Sequence, residues 1–155
     1  MMLLRIAVVL SVALLMVHAL NSALIGQKRM SKFALHSSTF RSSFGSDIPD
    51  WLHANLEKLG YSEPTVAQQE SLPLIFQGED VILQSQTGSG KTLAYSLPIL
   101  SQIDTSRSAI QAVIVVPTRE LGMQVSAVLK QLSSGAPEKV MIMVREYVVC
   151  LELWL

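Results

Sequence analysis

The stretch Ser85-Gln86-Thr87-Gly88-Ser89-Gly90-Lys91-Thr92 restricts the fold more than any other part of the chain. The apolar run Val81-Ile82-Leu83 before it predicts a short buried strand, and the residues from Lys91 to about Ile103 predict a helix. A glycine loop between a strand and a helix is the context in which such a motif has a mechanism. Gly88 and Gly90 let the backbone curl so that successive N–H groups point inward. The first turn of the helix adds the positive end of its dipole. Lys91 adds a full positive charge, and Thr92 a hydroxyl. The result is a cradle for phosphate oxygens, so the chain reads as one that holds a nucleoside triphosphate. Lys91 suits the β- and γ-phosphates, and Thr92 is placed to bind Mg²⁺. Ser85 departs from the usual Gly or Ala at its position; it is small enough to fit, but its hydroxyl needs a partner.

Asp47-Ile48-Pro49-Asp50 looks like a helix start, with Trp51, Leu52, Leu56 and Leu59 on one face and Gly60 at the end. Pro64-Thr65 opens a second helix through Gln68 and Glu70, closed by Gly78. Residues 112–116 are a β-branched run stopped by Pro117, which predicts a strand. A helix is expected from Arg119 to about Leu132, a turn over 133–137, and a further strand over 140–144. Strands alternating with helices predict an α/β fold: a parallel sheet with helices on both faces.

Charge divides the chain. Residues 1–46 carry five basic residues and no acid, whereas residues 47–155 carry seven basic against twelve acidic residues, a net charge of −5. An acidic body does not bind nucleic acid through its overall charge, so any such contact must be local. Residues 1–20 resemble a signal peptide: Arg5 precedes the apolar run 6–17, and Val17-His18-Ala19 offers a small-residue cleavage site. At about 12–15 residues the run is short of the roughly 20 needed to span a bilayer, so no stable membrane span is expected. It also fits a buried helix or an uncleaved anchor. Residues 21–46 are Ser-rich and basic, as in a transit peptide, or as in a disordered linker. In series the two pieces suggest a bipartite address to a plastid; the secretory route and the mitochondrion are the alternatives. Cys150 is the only cysteine, which excludes an intrachain disulfide and a cysteine-rich metal site.

Three segments, in order and spacing, resemble a DEAD-box RNA helicase of plastid type. Gly60-Tyr61-Ser62-Glu63-Pro64-Thr65-Val66-Ala67-Gln68, with Trp51 seventeen residues ahead of Gln68, resembles the family's Q motif. Residues 86–92 match its phosphate loop. Pro117-Thr118-Arg119-Glu120-Leu121 matches its motif Ia, followed by Gly122 where many members have Ala. The resemblance implies an incomplete RecA-like P-loop NTPase domain over residues 47–144. It implies ATP held by Trp51 stacking on adenine, by Gln68 reading the base edge, and by Ser85, Gln86, Thr87, Gly88, Ser89, Gly90, Lys91 and Thr92, with Mg²⁺ at Thr92. An amide both donates and accepts, as that edge requires. It further implies RNA touched by Pro117, Thr118, Arg119 and Glu120, weakly in this chain; Arg119 suits a phosphate.

The family also needs an Asp-Glu-Ala-Asp segment and a second RecA-like domain, and no Asp follows Asp104. Residues 145–155 do not resemble the family and read as an out-of-frame or intron-derived tail with exposed apolar residues. The expectation is the ATP-binding part of a truncated ATP-dependent RNA helicase. A non-catalytic nucleotide-binding module, or a membrane-anchored or secreted protein of other function, are the alternatives.

Overall fold

The computed structural model describes residues 7–9, 38–104, 106–137, 140–145 and 148–153. Most of the signal-like and transit-like leader, residues 10–37, lies outside the described residues. A strand β1 (Ala7–Val9) falls inside the apolar run. Among the described residues no helix is long and apolar enough to cross a membrane.

The packed part begins earlier than Asp47. The Thr39 hydroxyl accepts from the Ser42 N–H and starts a short helix α1 (Phe40–Phe44), whose two phenylalanines are buried. Phe44 lies against Phe76 with ring centroids 6.4 Å apart. Two aromatic side chains four residues apart share a helical face and bury together; the Ser-rich composition around them hid this. Arg41 on the outer side bonds Asp50 at 2.8 Å.

Helix α2 (Asp50–Lys58) follows, with Pro49 at its cap and Asp50 in the first turn. Leu52 and Leu56 are buried, but Leu59 is exposed. Leu59 already belongs to the C-cap, and Gly60 ends the helix at φ +82°, a conformation that glycine reaches without strain. Helix α3 (Val66–Phe76) starts at a capping box: Thr65 accepts from the Gln68 N–H, and the Gln68 side chain accepts in return from the Thr65 N–H. Helix α4 (Lys91–Ser101) starts directly at Gly90 and is buried from Leu93 to Leu100.

The strand expected over 81–83 does not form: the segment is irregular and Ile82 is 94% exposed. A strand needs a neighbour for its N–H and C=O groups, and the described strands pair elsewhere. Strand β2 (Ile110–Val115) and helix α5 (Arg119–Ser133) stand where the sequence predicts them. So does strand β3 (Val140–Arg145). Strand β4 (Val148–Leu153) is new: it lies in the tail that reads as aberrant.

The four strands form one sheet in the order β1-β2-β4-β3. Among the described strands only β1 and β2 pair in parallel. β4 is antiparallel to both β2 and β3, so the sheet is mixed rather than parallel. A tight connection from β3 to β4 permits only an antiparallel pair. Val149 and Leu151 of β4 are 0% exposed, and Val149 pairs with the equally buried Ile114. Within the tail, residues 148–153 are thus a core strand. Helix α5 packs on β3 and β4, α2 and α4 pack on α5, and α3 packs on α4. On the face of β2 opposite Ala112 and Ile114, Val113 and Val115 are each 37% exposed.

Candidate nucleotide site

The loop before α4 is held together by its own side chains. Lys91 Nζ donates to the Ser85 carbonyl at 2.7 Å and to the Gln86 carbonyl at 2.6 Å. It also approaches the hydroxyls of Ser85 and Ser89, each at 3.3 Å. The two hydroxyls bond each other at 2.6 Å. Ser85 therefore finds the partners that its hydroxyl requires, and the departure from Gly or Ala is accommodated. Gln86, Thr87 and Gly88 are exposed at the turn.

Backbone conformation explains the glycines. Gly88 and Gly90 have φ of +80° and +86°. At Gly90 a Cβ would also run into Gln68 Nε2, whereas at Gly88 it would meet open space. Gly90 is thus required twice, by its dihedral and by the close approach of Gln68.

The approach of Gln68 is a latch between α3 and the loop. Its Nε2 donates to the Gly90 carbonyl at 2.9 Å, while its Oε1 accepts from the Thr65 N–H at 2.9 Å. Thr65 Oγ1 donates to the Ser89 carbonyl at 2.8 Å. Gln68 is 3% exposed, so both ends of its amide are committed to protein groups. Gln68 thus fastens α3 to the loop. Thr65 is a residue that the site analysis above missed. Its signal was present as Thr-x-x-Gln, the capping-box pattern.

Trp51 stands apart from this cluster. It lies on α2, partly buried against the core, and its carbonyl sits beside Gly135 in the turn after α5. Gln68 lies at the loop itself. Tyr61, between α2 and α3, is the exposed aromatic near Thr65, at 38%. It borders a cleft of ≈ 270 Å³ lined by Phe40, Arg41, His53 and Leu56.

The Pro117-Thr118-Arg119-Glu120 segment opens α5. Thr118 Oγ1 accepts from the Leu121 N–H at 3.2 Å and caps the helix; Arg119 and Glu120 are exposed. Gly122 one turn on is pressed against Val116 and Val144, each 3.3 Å from where a Cβ would stand. A methyl group there would force the sheet and helix apart, which accounts for glycine in place of alanine.

The loop has the features that a nucleotide phosphate requires. Three features converge: left-handed glycines, an ammonium seated among carbonyls that a phosphate can replace, and the first N–H groups of α4. Among the described residues no group of three or more His, Cys, Asp or Glu forms a separate metal site.

A phosphate loop between an irregular lead and a buried helix, latched by a neighbouring helix, defines a P-loop nucleotide-binding unit of RecA-like type. The DEAD/DEAH box helicase family model matches residues 65–147, and the chain belongs to that family. It is 45% identical over 108 residues to the DEAD-box ATP-dependent RNA helicase 58, chloroplastic, of Oryza sativa subsp. japonica, covering 70% of this chain and 25% of the relative. To the protein of the same description from Arabidopsis thaliana it is 50% identical over 96 residues, covering 62% and 20%. Among solved structures, S. cerevisiae Dbp5 bound to RNA and ADP BeF3 aligns with a TM-score of 0.55 at 28% identity, over 57% of this chain and 23% of that one. The chain thus spans about a quarter or less of the length of these relatives.

Proposed function

We propose that this chain supplies the ATP-binding part of an ATP-dependent RNA helicase. The observation that carries the reading is the latched loop: Lys91 inside it and Thr65 and Gln68 fastening it from α3. An incoming triphosphate replaces the Ser85 and Gln86 carbonyls as the partner of Lys91. The N–H groups of the loop and of the first turn of α4 then face phosphate oxygens. Thr92 would hold Mg²⁺, which supplies charge neutralisation between the phosphates when bound. Trp51 is the proposed platform for the base, with Gln68 at its edge. Thr118 and Arg119, open at the start of α5, suit the sugar-phosphate backbone of RNA. The names of the relatives support ATP and RNA as ligands. The plastid is the proposed destination, supported by the basic, acid-free leader and by two chloroplastic relatives.

Binding of a fluorescent ATP analogue tests the reading. Saturable binding that ATP displaces better than GTP is expected, together with a shift in affinity when an oligoribonucleotide is added. Absence of any displacement by ATP would overturn it. Phosphate release stimulated by RNA would show turnover; binding without release would favour a docking module. A fluorescent fusion of residues 1–46 tests the destination: retention along the secretory route contradicts import into a plastid.

A further inference from the structure

The two ends of the proposed mechanism are tied by a buried amide. Asn55 sits on α2, one turn before Gly60, and is nearly fully buried. Its Nδ2 donates to the carbonyls of Gln131 and Leu132, both at 2.7 Å, and lies 3.2 Å from Ser134 Oγ. Ser134 Oγ bonds the Gln131 carbonyl at 2.8 Å. The last carbonyls of a helix have no partner within it. Here a side chain from another helix satisfies two of them, and Gly135 fits against Asn55 Cβ and Cγ at 3.5–3.6 Å.

We infer that Asn55 is a positioning residue that clamps the last turn of α5 and so sets the aim of its RNA-facing start relative to the nucleotide segment; this rests on the reading proposed above. Three placements carry the inference. α2 runs directly into Gly60–Gln68, the segment that latches the phosphate loop. α5 is 15 residues long, about 22 Å at 1.5 Å per residue. Its far end carries Thr118 and Arg119, while its near end is pinned by Asn55. Gly122, one turn into the helix, rests on Val116 and Val144, so a tilt allowed at the clamped end re-aims the side chains that precede that contact. Loss of the pin therefore moves Arg119 and leaves Lys91 and its loop in place, because the loop is held separately by Thr65 and Gln68.

The test uses the full chain with Asn55→Asp, which keeps the shape and turns a donor toward two carbonyls into an acceptor. Affinity for an oligoribonucleotide should fall on the order of tenfold, whereas affinity for the ATP analogue stays within about twofold. Ser134→Ala, which removes only one member of the clamp, should shift RNA affinity in the same direction by a smaller factor. If Asn55→Asp fails to fold, Ser134→Ala carries the test alone. Unchanged RNA affinity in a folded variant overturns the inference, as does an equal fall in both affinities, which would mark Asn55 as ordinary packing. A wild-type chain that binds no ATP analogue overturns the functional reading itself and this inference with it.

Discussion

The phosphate loop and the β2-β4-β3 sheet solve the same problem, satisfying backbone groups around short apolar segments, by opposite means. In the loop most of the bonds lie within a few residues: Lys91 to Ser85 and Gln86, and Ser85 to Ser89. In the sheet the partners are distant: Ile114 meets Val149. A local arrangement is specified by spacing alone and survives whatever surrounds it. A non-local one takes the strand that is available, so β4 pairs with β2 while residues 81–83 stay irregular.

The largest effect that separates the two regions lies in the tail. Leu151 is fully buried, so Leu151→Ala should cost about 2–5 kcal/mol in a urea melt. A loss under about 0.5 kcal/mol would place β4 outside the core and return residues 148–153 to an exposed end. Next comes the contrast between the two loop glycines. Gly90→Ala meets both a positive φ and Gln68, whereas Gly88→Ala meets only the dihedral. The first should cost more than the roughly 1–3 kcal/mol expected of a strained backbone, and the second should stay within it. Equal costs would show that the Gln68 latch is open in solution. Thr65→Val removes the cap and the bond to the Ser89 carbonyl, and about 0.5–2 kcal/mol of stability should go with it. Hydrogen exchange at Ser89 and Gly90 should then quicken; unaltered exchange would detach α3 from the loop.

The smallest effect is a pH dependence at His53. Burial, and secondarily Arg41, hold its imidazole below the ordinary value of 6.5. The unfolded chain therefore takes up the proton first as pH falls. Stability due to neutral His53 is complete above 6.5 and is lost as pH drops through that value toward the folded pKa. The melting temperature should fall between about pH 7.5 and 5.5, and His53→Gln should flatten the slope. An unchanged slope in the variant would assign the dependence to other groups.

The same division governs what was legible in the sequence. The glycine loop, the capping box at Thr65, β2 and α5 all follow from patterns a few residues long. Gly60 and the Thr118 cap do so as well. The exposure of Leu59 did not, since burial depends on which element lies opposite. The strand β4 carried a period-two signal in Val149 and Leu151, but its lack of family resemblance outweighed that signal. The failure of residues 81–83 to form a strand is a matter of partners, which no local pattern encodes.

The central claim is that Lys91, seated among loop carbonyls, is the receptor for a nucleotide phosphate. Titration calorimetry of ATP with Mg²⁺ into the wild-type chain and into Lys91→Ala tests it most directly. Removing a charge-assisted contact of about 1.5–3 kcal/mol should weaken binding by roughly ten- to a hundredfold, with the fold unchanged by circular dichroism. Equal affinity in the two proteins would contradict the assignment of the loop.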